Sequence, residues 1–163
     1  MARVGAATAI RLIRDLWVPL AATSGFPVFV GIDTTDAGVD VACFVAIPSG
    51  RQGGGQGVRT QHSRDLSTHT WVHEVHCGAL AQSGIDPRRN TGASHALDLA
   101  ERVDDVCEKL RAAIDSNPTL TGLVAMTRFG LPDRDSEQLL DIDRDENGVI
   151  VMLDFDVTIT SRA

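Results

Sequence analysis

The sequence predicts one α+β domain over residues 1–163, with two main helices packed on one face of an antiparallel or mixed sheet of about five strands. Residues 149–160 alternate between apolar and mixed side chains, which is the period-two pattern of a half-buried strand. Two segments, 6–18 and about 92–115, instead repeat apolar residues with the period of a helix. Short runs rich in β-branched residues lie between them, so the predicted order is α-β-β-β-α-β-β.

The C-terminal strand carries the strongest of these patterns. Six apolar residues fall on one side: Val149, Val151, Leu153, Phe155, Val157 and Ile159. The other side is apolar only at its start: Ile150, Met152, Asp154, Asp156, Thr158 and Thr160. Burying six large apolar side chains contributes roughly 9–18 kcal/mol before conformational entropy is subtracted. We therefore expect the helices to pack on the apolar side, and we expect Asp156→Asn to be tolerated.

The first half of the chain should supply a helix and three strands. Pro19 is expected to end the first helix, because proline has no N–H and disfavours helical geometry in Val18. Strands are predicted at 26–32 and 39–47, and the turn residues between them allow a hairpin. The third strand is predicted at 70–80.

Residues 48–69 have no hydrophobic periodicity and contain three adjacent glycines, so they are predicted to form a long Gly-rich loop or arm. Irregular segments of this length are uncommon within compact domains, and they usually bind something or remain disordered. Two interpretations stay open: a solvated mobile loop, or an arm that becomes ordered against a neighbouring subunit.

The second half should supply the second helix and two strands. The helix presents one apolar arc: Ala96, Leu99, Ala100, Val103, Val106, Cys107, Leu110, Ala113 and Ile114. Leu97 is its only large apolar residue outside that arc, and Asn117-Pro118 is expected to end the helix. Residues 119–129 are apolar on both sides, which is typical of a strand inside a sheet.

The composition is that of an ordinary soluble globular protein, with 43% hydrophobic and 23% charged residues. Charges interrupt the apolar N-terminal run, and no apolar run is long enough to span a membrane, so neither a signal peptide nor a membrane span is predicted. The net charge of −7 resides in residues 133–156, where nine carboxylates accompany two arginines. Without clustered lysine and arginine, the chain is not expected to bind nucleic acid specifically.

The three cysteines, Cys43, Cys77 and Cys107, form no closely spaced pair. They are predicted to be reduced, mostly buried thiols of a protein made in a cytoplasm. Cys107 lies on the apolar helical arc, so it is interpreted as structural and not as a nucleophile.

Two histidine-containing patterns suggest a metal site, but neither has suitable geometry. In a strand, His73 and His76 point to opposite faces, whereas a metalloprotease motif needs a helix that aims both histidines at one ion. His69, His73 and Cys77 share a face, but neighbouring members are roughly 13 Å apart, and zinc ligands lie only about 2.0–2.3 Å from the metal. The glycine run at 53–57 lacks the Lys-Ser/Thr of a phosphate-binding loop. We predict no metal, cofactor or catalytic residues.

Residues 143–154 resemble the twelve-residue calcium loop of EF-hand proteins. Its positions 1, 3, 5, 6 and 12 would be Asp143, Asp145, Asn147, Gly148 and Asp154. That family uses a glutamate at position 12 and continues into a helix, whereas a strand is predicted here. A hairpin turned at Asn147-Gly148 is the preferred prediction, and a bound cation within it is the alternative.

Two helices cover about one face of a five-stranded sheet, so the opposite face is expected to stay open. That face would still present Ile150, Met152 and half of the strand predicted at 119–129. Leftover apolar surface of this kind suggests burial against another subunit.

The order and hydrophobic spacing of these elements resemble the tail terminator proteins of long non-contractile-tailed bacteriophages. The resemblance rests on the amphipathic N-terminal helix, the strand THTWVHEVHCGAL, the helix ALDLAERVDDVCEKLRAAI, the strand LTGLVAMTRFG and the closing ENGVIVMLDFDVTI. It implies a small non-enzymatic virion subunit that is made in the host cytoplasm and forms a hexameric ring. Such a ring caps the tail tube, stops its polymerisation and joins the tail to the head connector. The family has no catalytic residues to transfer to this chain.

Two other kinds of function remain open at this stage. A head-completion or connector protein of the same virion neck would have nearly the same composition. A small cytoplasmic enzyme or calcium-binding module would differ by being monomeric. The mass in solution separates a ring from a monomer, and the position in the particle separates a terminator from a connector.

Overall fold

The computed structural model describes residues 3–31, 40–47, 57–84, 93–130, 139–144 and 148–163. These residues form one α+β domain with two helices and a mixed sheet of seven strands. The elements are α1 (Ala6–Ser24), β1 (Val28–Val30), β2 (Val41–Val45), β3 (Val58–Asp65), β4 (Thr68–Gly84), α2 (Ala93–Ser116), β5 (Met126–Phe129), β6 (Leu139–Arg144) and β7 (Gly148–Arg162). The predicted class is confirmed, and the sheet has two strands more than the five predicted.

The two longest strands, β4 and β7, form the centre of the sheet. They pair antiparallel from Thr70–Arg162 at one end to Gly84–Gly148 at the other. On the outer side of β4 lie both β2 and β3, and on the outer side of β7 lie both β5 and β6. Each flank of the central pair is therefore covered by two shorter strands that follow one another along it.

Both helices pack on one face of this sheet, as predicted. The six apolar residues of β7 are all buried, none more than 3% exposed, and they pack against the buried arcs of α1 and α2. Phe155 lies at the centre, with its ring 5.9 Å from that of Trp17 and 4.9 Å from that of Phe129. Leu97, predicted to lie outside the apolar arc of α2, is 60% exposed. No helix in the described ranges is long and apolar enough to cross a membrane.

The prediction that Pro19 ends the first helix is wrong, because α1 continues to Ser24. Proline removes one helical hydrogen bond, to the carbonyl of Asp15, but Pro19 and Asp15 both lie on the exposed side, where water can solvate that carbonyl. Continuing the helix also buries Ala21 against the core. The helix ends instead at Gly25, whose left-handed backbone (φ 78°) directs its N–H to the carbonyl of Ala21.

The prediction that the first two strands can form a hairpin is also wrong, because β1 and β2 pair in parallel, with Phe29 opposite Phe44. Parallel pairing requires the chain to return to the same end before the second strand begins.

The predicted loop at 48–69 contains a strand in its second half. β3 forms a hairpin with β4 through Leu66 and Ser67, and its backbone is paired from Val58–Val75 to Asp65–Thr68. Every residue of β3 after Val58 is exposed, so hydrogen bonding holds the strand without an apolar face. Hydrophobic periodicity in a sequence reveals strands that bury one face, and therefore it missed β3. Residues 48–56 lie outside the described part of the chain.

The strand predicted at 119–129 is correct only for its last four residues, which form β5. Leu120, Thr121 and Gly122 have positive φ angles, and the N–H of Thr121 donates to the Asn117 side chain at 2.9 Å. Consecutive left-handed residues form turns and cannot continue a strand. The segment was also predicted to lie inside the sheet, but among the described residues β5 pairs only with β7 and lies at an edge.

Candidate functional site

The face of the sheet opposite the helices divides into an apolar half and a polar half. We call it the open face. The apolar half is a second small cluster: Ala42, Phe44 and Ile47, with Phe29, Leu80 and Met152 packed against it. The polar half is centred on His76 of β4, with Asp154 and Asp156 of β7 beside it.

His76 is 5% exposed and lies between the two carboxylates. Its Nδ1 donates to Oδ1 of Asp156 at 3.0 Å, directly across the β4–β7 pair. Its Nε2 lies 3.7 Å from Oδ2 of Asp154, which is too long for a hydrogen bond, so Asp154 acts on the ring through its charge. Both carboxylate side chains are themselves largely buried, at 13% and 17% exposed. One imidazole thus connects two acidic residues of the neighbouring strand.

The charge of this cluster follows from competing effects on the pKa of His76. Burial alone would lower that pKa, since it penalises the charged ring. Asp156, through its hydrogen bond and charge, and Asp154, through its charge, oppose this effect, and together they raise the pKa from 6.5 to about 9. His76 is therefore an imidazolium at neutral pH, and it offsets one of the two negative charges.

Both flanks of the central pair are interrupted next to this cluster. On the β4 side, the N–H of Ile47 donates to the His76 carbonyl at 3.0 Å, and the N–H of His76 donates to the Gly57 carbonyl at 2.9 Å. Ile47 and Gly57 therefore both lie beside His76. On the β7 side, the N–H of Gly130 donates to the Asp156 carbonyl at 2.7 Å, and β6 begins opposite Asp154. The imidazolium lies where β3 is succeeded by β2 along β4, and where β5 is succeeded by β6 along β7.

This arrangement can stabilise the pairing of β4 with β7. The His76 ring donates to the carboxylate of Asp156, whereas nucleophilic catalysis uses a hydroxyl or thiol next to the imidazole. Burial raises the pKa of Cys107 to about 12, and it raises those of Cys43 and Cys77 well above the ordinary range. All three cysteines are free and buried, as predicted, and such thiols are poor nucleophiles. What the cluster can do is hold β4 and β7 in register by charge.

The histidines considered as metal ligands are separated by the sheet. His73 points to the helix side, where its Nε2 donates to the Val4 carbonyl at 2.7 Å and its Nδ1 lies 2.9 Å from the Thr60 hydroxyl. His76 points to the open face, so the predicted divergence of the two is confirmed. His69 bonds to His62 at 3.0 Å instead of approaching His73 or Cys77. In the ranges that the structure describes, no three His, Cys, Asp or Glu side chains are arranged to hold a metal ion.

The segment that resembles a calcium loop forms a β-hairpin. Antiparallel pairing runs from Arg144–Val149 to Leu139–Asp154, so Asp143 and Asp154 belong to two paired strands. The antiparallel pairing of the preferred hairpin prediction is confirmed, whereas its turn at Asn147-Gly148 stays a prediction. Residues 145–147, which include the predicted turn residue Asn147, lie outside the described part of the chain.

Two further features lie away from the cluster. At the β3–β4 hairpin, the rings of His62, His69 and Trp71 are stacked, and Arg3 lies 5.6 Å from the centre of the Trp71 ring. A shallow cleft of ≈ 140 Å³ lies between the end of α1 and α2, with Arg102 in its lining. Cofactor pockets are usually about 300–1,000 Å³, so this cleft is too small for one.

Sequence analysis missed the grouping of His76 with Asp154 and Asp156. The available signal was two acidic residues two apart in a strand that is otherwise apolar. Using it would have required the β4–β7 register, which places Asp156 opposite His76. The expectation that Asp156→Asn would be tolerated overlooked this hydrogen bond.

No known protein-family model matches this chain, and no curated protein sequence is detectably similar to it. Its function must therefore be inferred from the geometry of the fold and from the order of its elements.

Proposed function

We propose that this protein is a structural subunit that associates with copies of itself into a ring, in the role of a bacteriophage tail terminator. The ring would cap the tail tube and join it to the head connector. The observation that supports this best is apolar surface left exposed on the sheet. Leu140, Ile142 and Ile150 are 42%, 49% and 41% exposed on the paired strands β6 and β7.

Single exposed apolar residues are ordinary on soluble proteins, but Leu140 and Ile142 lie two residues apart on one face of β6, and neighbouring exposed apolar residues favour an interaction surface. Ile142 lies opposite Val151 and Ile150 lies opposite Asp143, so the exposed residues cover both faces of one short ribbon. The strand β6 also has no partner on its outer side in the described part of the chain. An unpaired strand edge with apolar side chains favours contact with another protein chain.

Light scattering on the purified protein at micromolar concentration tests self-association directly. We expect a mass several times 17.4 kDa and closed rings in electron micrographs. Ile142→Lys should shift the protein towards monomer, whereas the matched control Leu97→Lys, on the outer side of α2, should not. A strictly monomeric protein, alone and in the particle, would contradict the proposal.

Capping is tested separately, with the tail tube protein of the same virus. Adding the wild-type protein to polymerising tube protein should shorten the tubes and place the added protein at their ends. If the wild-type protein forms rings but leaves the length of the tubes unchanged, a connector role is favoured over a terminator role.

A further inference from the structure

Two histidines of the β3–β4 hairpin form a pair that the proposed function does not use. His62 of β3 lies opposite Trp71 of β4, two residues from His69, so the three side chains share one face of the hairpin. Nε2 of His62 lies 3.0 Å from Nδ1 of His69, and the planes of the two rings differ by 4°. One ring therefore donates its N–H to the lone pair of the other, and two imidazole nitrogens are held facing each other.

The positions of both rings are fixed by the structure around them. His62 belongs to the backbone ladder between β3 and β4, and the N–H and carbonyl of His69 bond to the backbone of Ala163 at 2.7 and 2.9 Å. The ring of Trp71 packs against both imidazoles, with its centre 4.9 Å from that of His62 and 5.6 Å from that of His69. A pair of ligands on two bonded strands is positioned before an ion arrives.

The separation of the two nitrogens matches that of two ligands on one metal ion. Imidazole nitrogens lie about 2.0–2.1 Å from a first-row metal ion, so two of them at right angles around it are about 2.8–3.0 Å apart. At the tetrahedral angle that is usual for zinc they would be about 3.3–3.4 Å apart. The observed 3.0 Å therefore fits the right-angled arrangement of square-planar sites, which Cu²⁺ and Ni²⁺ prefer.

We propose that His62 and His69 chelate one divalent transition-metal ion, of the Cu²⁺ and Ni²⁺ class, through Nε2 and Nδ1. The ring that donates the hydrogen bond moves that proton to its other nitrogen by exchange with water, and both rings rotate to aim their lone pairs at the ion. His62 is exposed and His69 is partly exposed, so water can reach the pair and occupy the remaining coordination positions. This inference does not depend on the proposed self-association, because both ligands come from one chain.

The charges on this face select the kind of ion. Arg64 lies directly opposite His69, and Arg3 lies on the same side, over the neighbouring tryptophan. The two carboxylates of β3 and β4, Asp65 and Glu74, lie on the other face of the hairpin. Ca²⁺ and Mg²⁺ bind through oxygen ligands and gain nothing here, whereas neutral imidazole suits Cu²⁺, Ni²⁺ and Zn²⁺. The arginines repel any cation, so binding rests on the two nitrogen bonds, which are strongest for Cu²⁺.

The other two histidines of the central strand are less suited to an ion. His73 is 1% exposed, and its two ring nitrogens already lie at hydrogen-bond distance from the Val4 carbonyl and the Thr60 hydroxyl. His76 is 5% exposed and donates to the carboxylate of Asp156. An ion from solution therefore reaches the His62–His69 pair more easily than either of these rings.

Trp71 makes binding directly observable. Cu²⁺ quenches the fluorescence of a tryptophan next to it, and Trp17, the other tryptophan of the chain, is fully buried in the core. Titrating chelator-treated protein with copper chloride should quench the emission saturably, with a single ion bound per chain, and a chelator should restore it. Trp71→Phe should lose most of the quenching, while calorimetry should still detect the bound ion.

Variants of the two ligands test the assignment. His62→Gln and His69→Gln should each weaken Cu²⁺ binding about tenfold or more, because each leaves a single imidazole. His95→Gln, in α2, is the control and should bind as the wild type does. Electron paramagnetic resonance of the wild-type complex should show coupling to two imidazole nitrogens, a measurement that needs no variant. A wild type without saturable binding, or undiminished binding when both histidines are replaced, would overturn the inference.

Discussion

At the scale of single residues, His76 determines how the stability of the fold depends on pH. Its pKa is about 9 in the folded protein against 6.5 for an ordinary histidine. A raised pKa means that the folded state holds the proton more tightly, so the stabilisation is fully present below pH 6.5 and is lost as the pH rises towards 9. Between pH 6 and 8 we expect the free energy of unfolding to fall by roughly 2 kcal/mol.

Urea denaturation at pH 6, 7 and 8 measures this effect. The range stops at pH 8 because the buried thiols have raised pKa values in the folded protein. In the unfolded state the same cysteines would ionise above about pH 8.5 and would add their own pH dependence. His76→Gln is the control and should lose most of the slope. Asp156→Asn should reduce the slope and cost about 1–3 kcal/mol at pH 6, since it removes a charged hydrogen-bond partner. Equal slopes in wild type and His76→Gln would show that the imidazolium is unimportant.

Phe155 is the residue on which the packing of both helices converges. Its ring is fully buried between Trp17 of α1 and Phe129 of β5. We expect Phe155→Ala to lower the free energy of unfolding by about 3–5 kcal/mol, because it leaves a cavity that rigid neighbours cannot fill. Ile150→Ala in the same strand is the matched control, and as Ile150 is 41% exposed its cost should be much smaller. Similar losses in both variants would contradict the assigned faces of β7.

At the scale of elements, the sequence predicts those that bury an apolar face. β7 and α2 were located within one or two residues, because each repeats buried residues with its own period. β3 was missed because its stability comes from backbone pairing to β4, and that pairing leaves no pattern in an exposed strand. Residues 119–125 were predicted as strand from the apolar residues Leu120, Leu123 and Val124. The turn there depends on a side-chain bond from Asn117, which periodicity does not register.

The β6–β7 hairpin gives a prediction about calcium. Asp154 lies six residues beyond Gly148 in a continuous strand, roughly 20 Å away. A calcium ion needs all of its oxygen ligands within about 2.6 Å, so Asp154 cannot join the residues near the turn in one site. We therefore expect millimolar calcium to leave the melting temperature unchanged.

Differential scanning calorimetry with calcium and with a chelator measures this directly. A bound ion at a hundredfold excess over its Kd would stabilise the fold by about 2.7 kcal/mol, which is easily detected. A rise of several degrees that Asp145→Ala abolishes would show that the hairpin holds an ion. The alternative interpretation, a bound cation within this hairpin, would then be correct.

At the scale of the whole molecule, the sheet has a long two-stranded centre, and two shorter strands follow one another along each flank. Ile47 and Gly57 both bond to the backbone of His76, and on the other flank Gly130 bonds to Asp156 while Leu139 lies opposite Asp154. The sequence indicated the open face and the long insertion separately. It could not place them together, because that requires knowing which strands share β4 and which share β7.

Self-association should make the stability of the molecule depend on its concentration. A neighbour that binds only the folded subunit stabilises it by RT ln(1 + [L]/Kd), about 2.7 kcal/mol at a hundredfold excess over Kd. For a domain of this size, each kcal/mol raises the melting temperature by roughly 2–4 °C. We therefore expect the melting temperature to rise by several degrees between dilute and concentrated protein. Ile142→Lys should flatten this rise, whereas Leu97→Lys should preserve it. A melting temperature independent of concentration in the wild type would indicate a subunit that is fully stable alone, and the exposed residues of β6 and β7 would then need another partner.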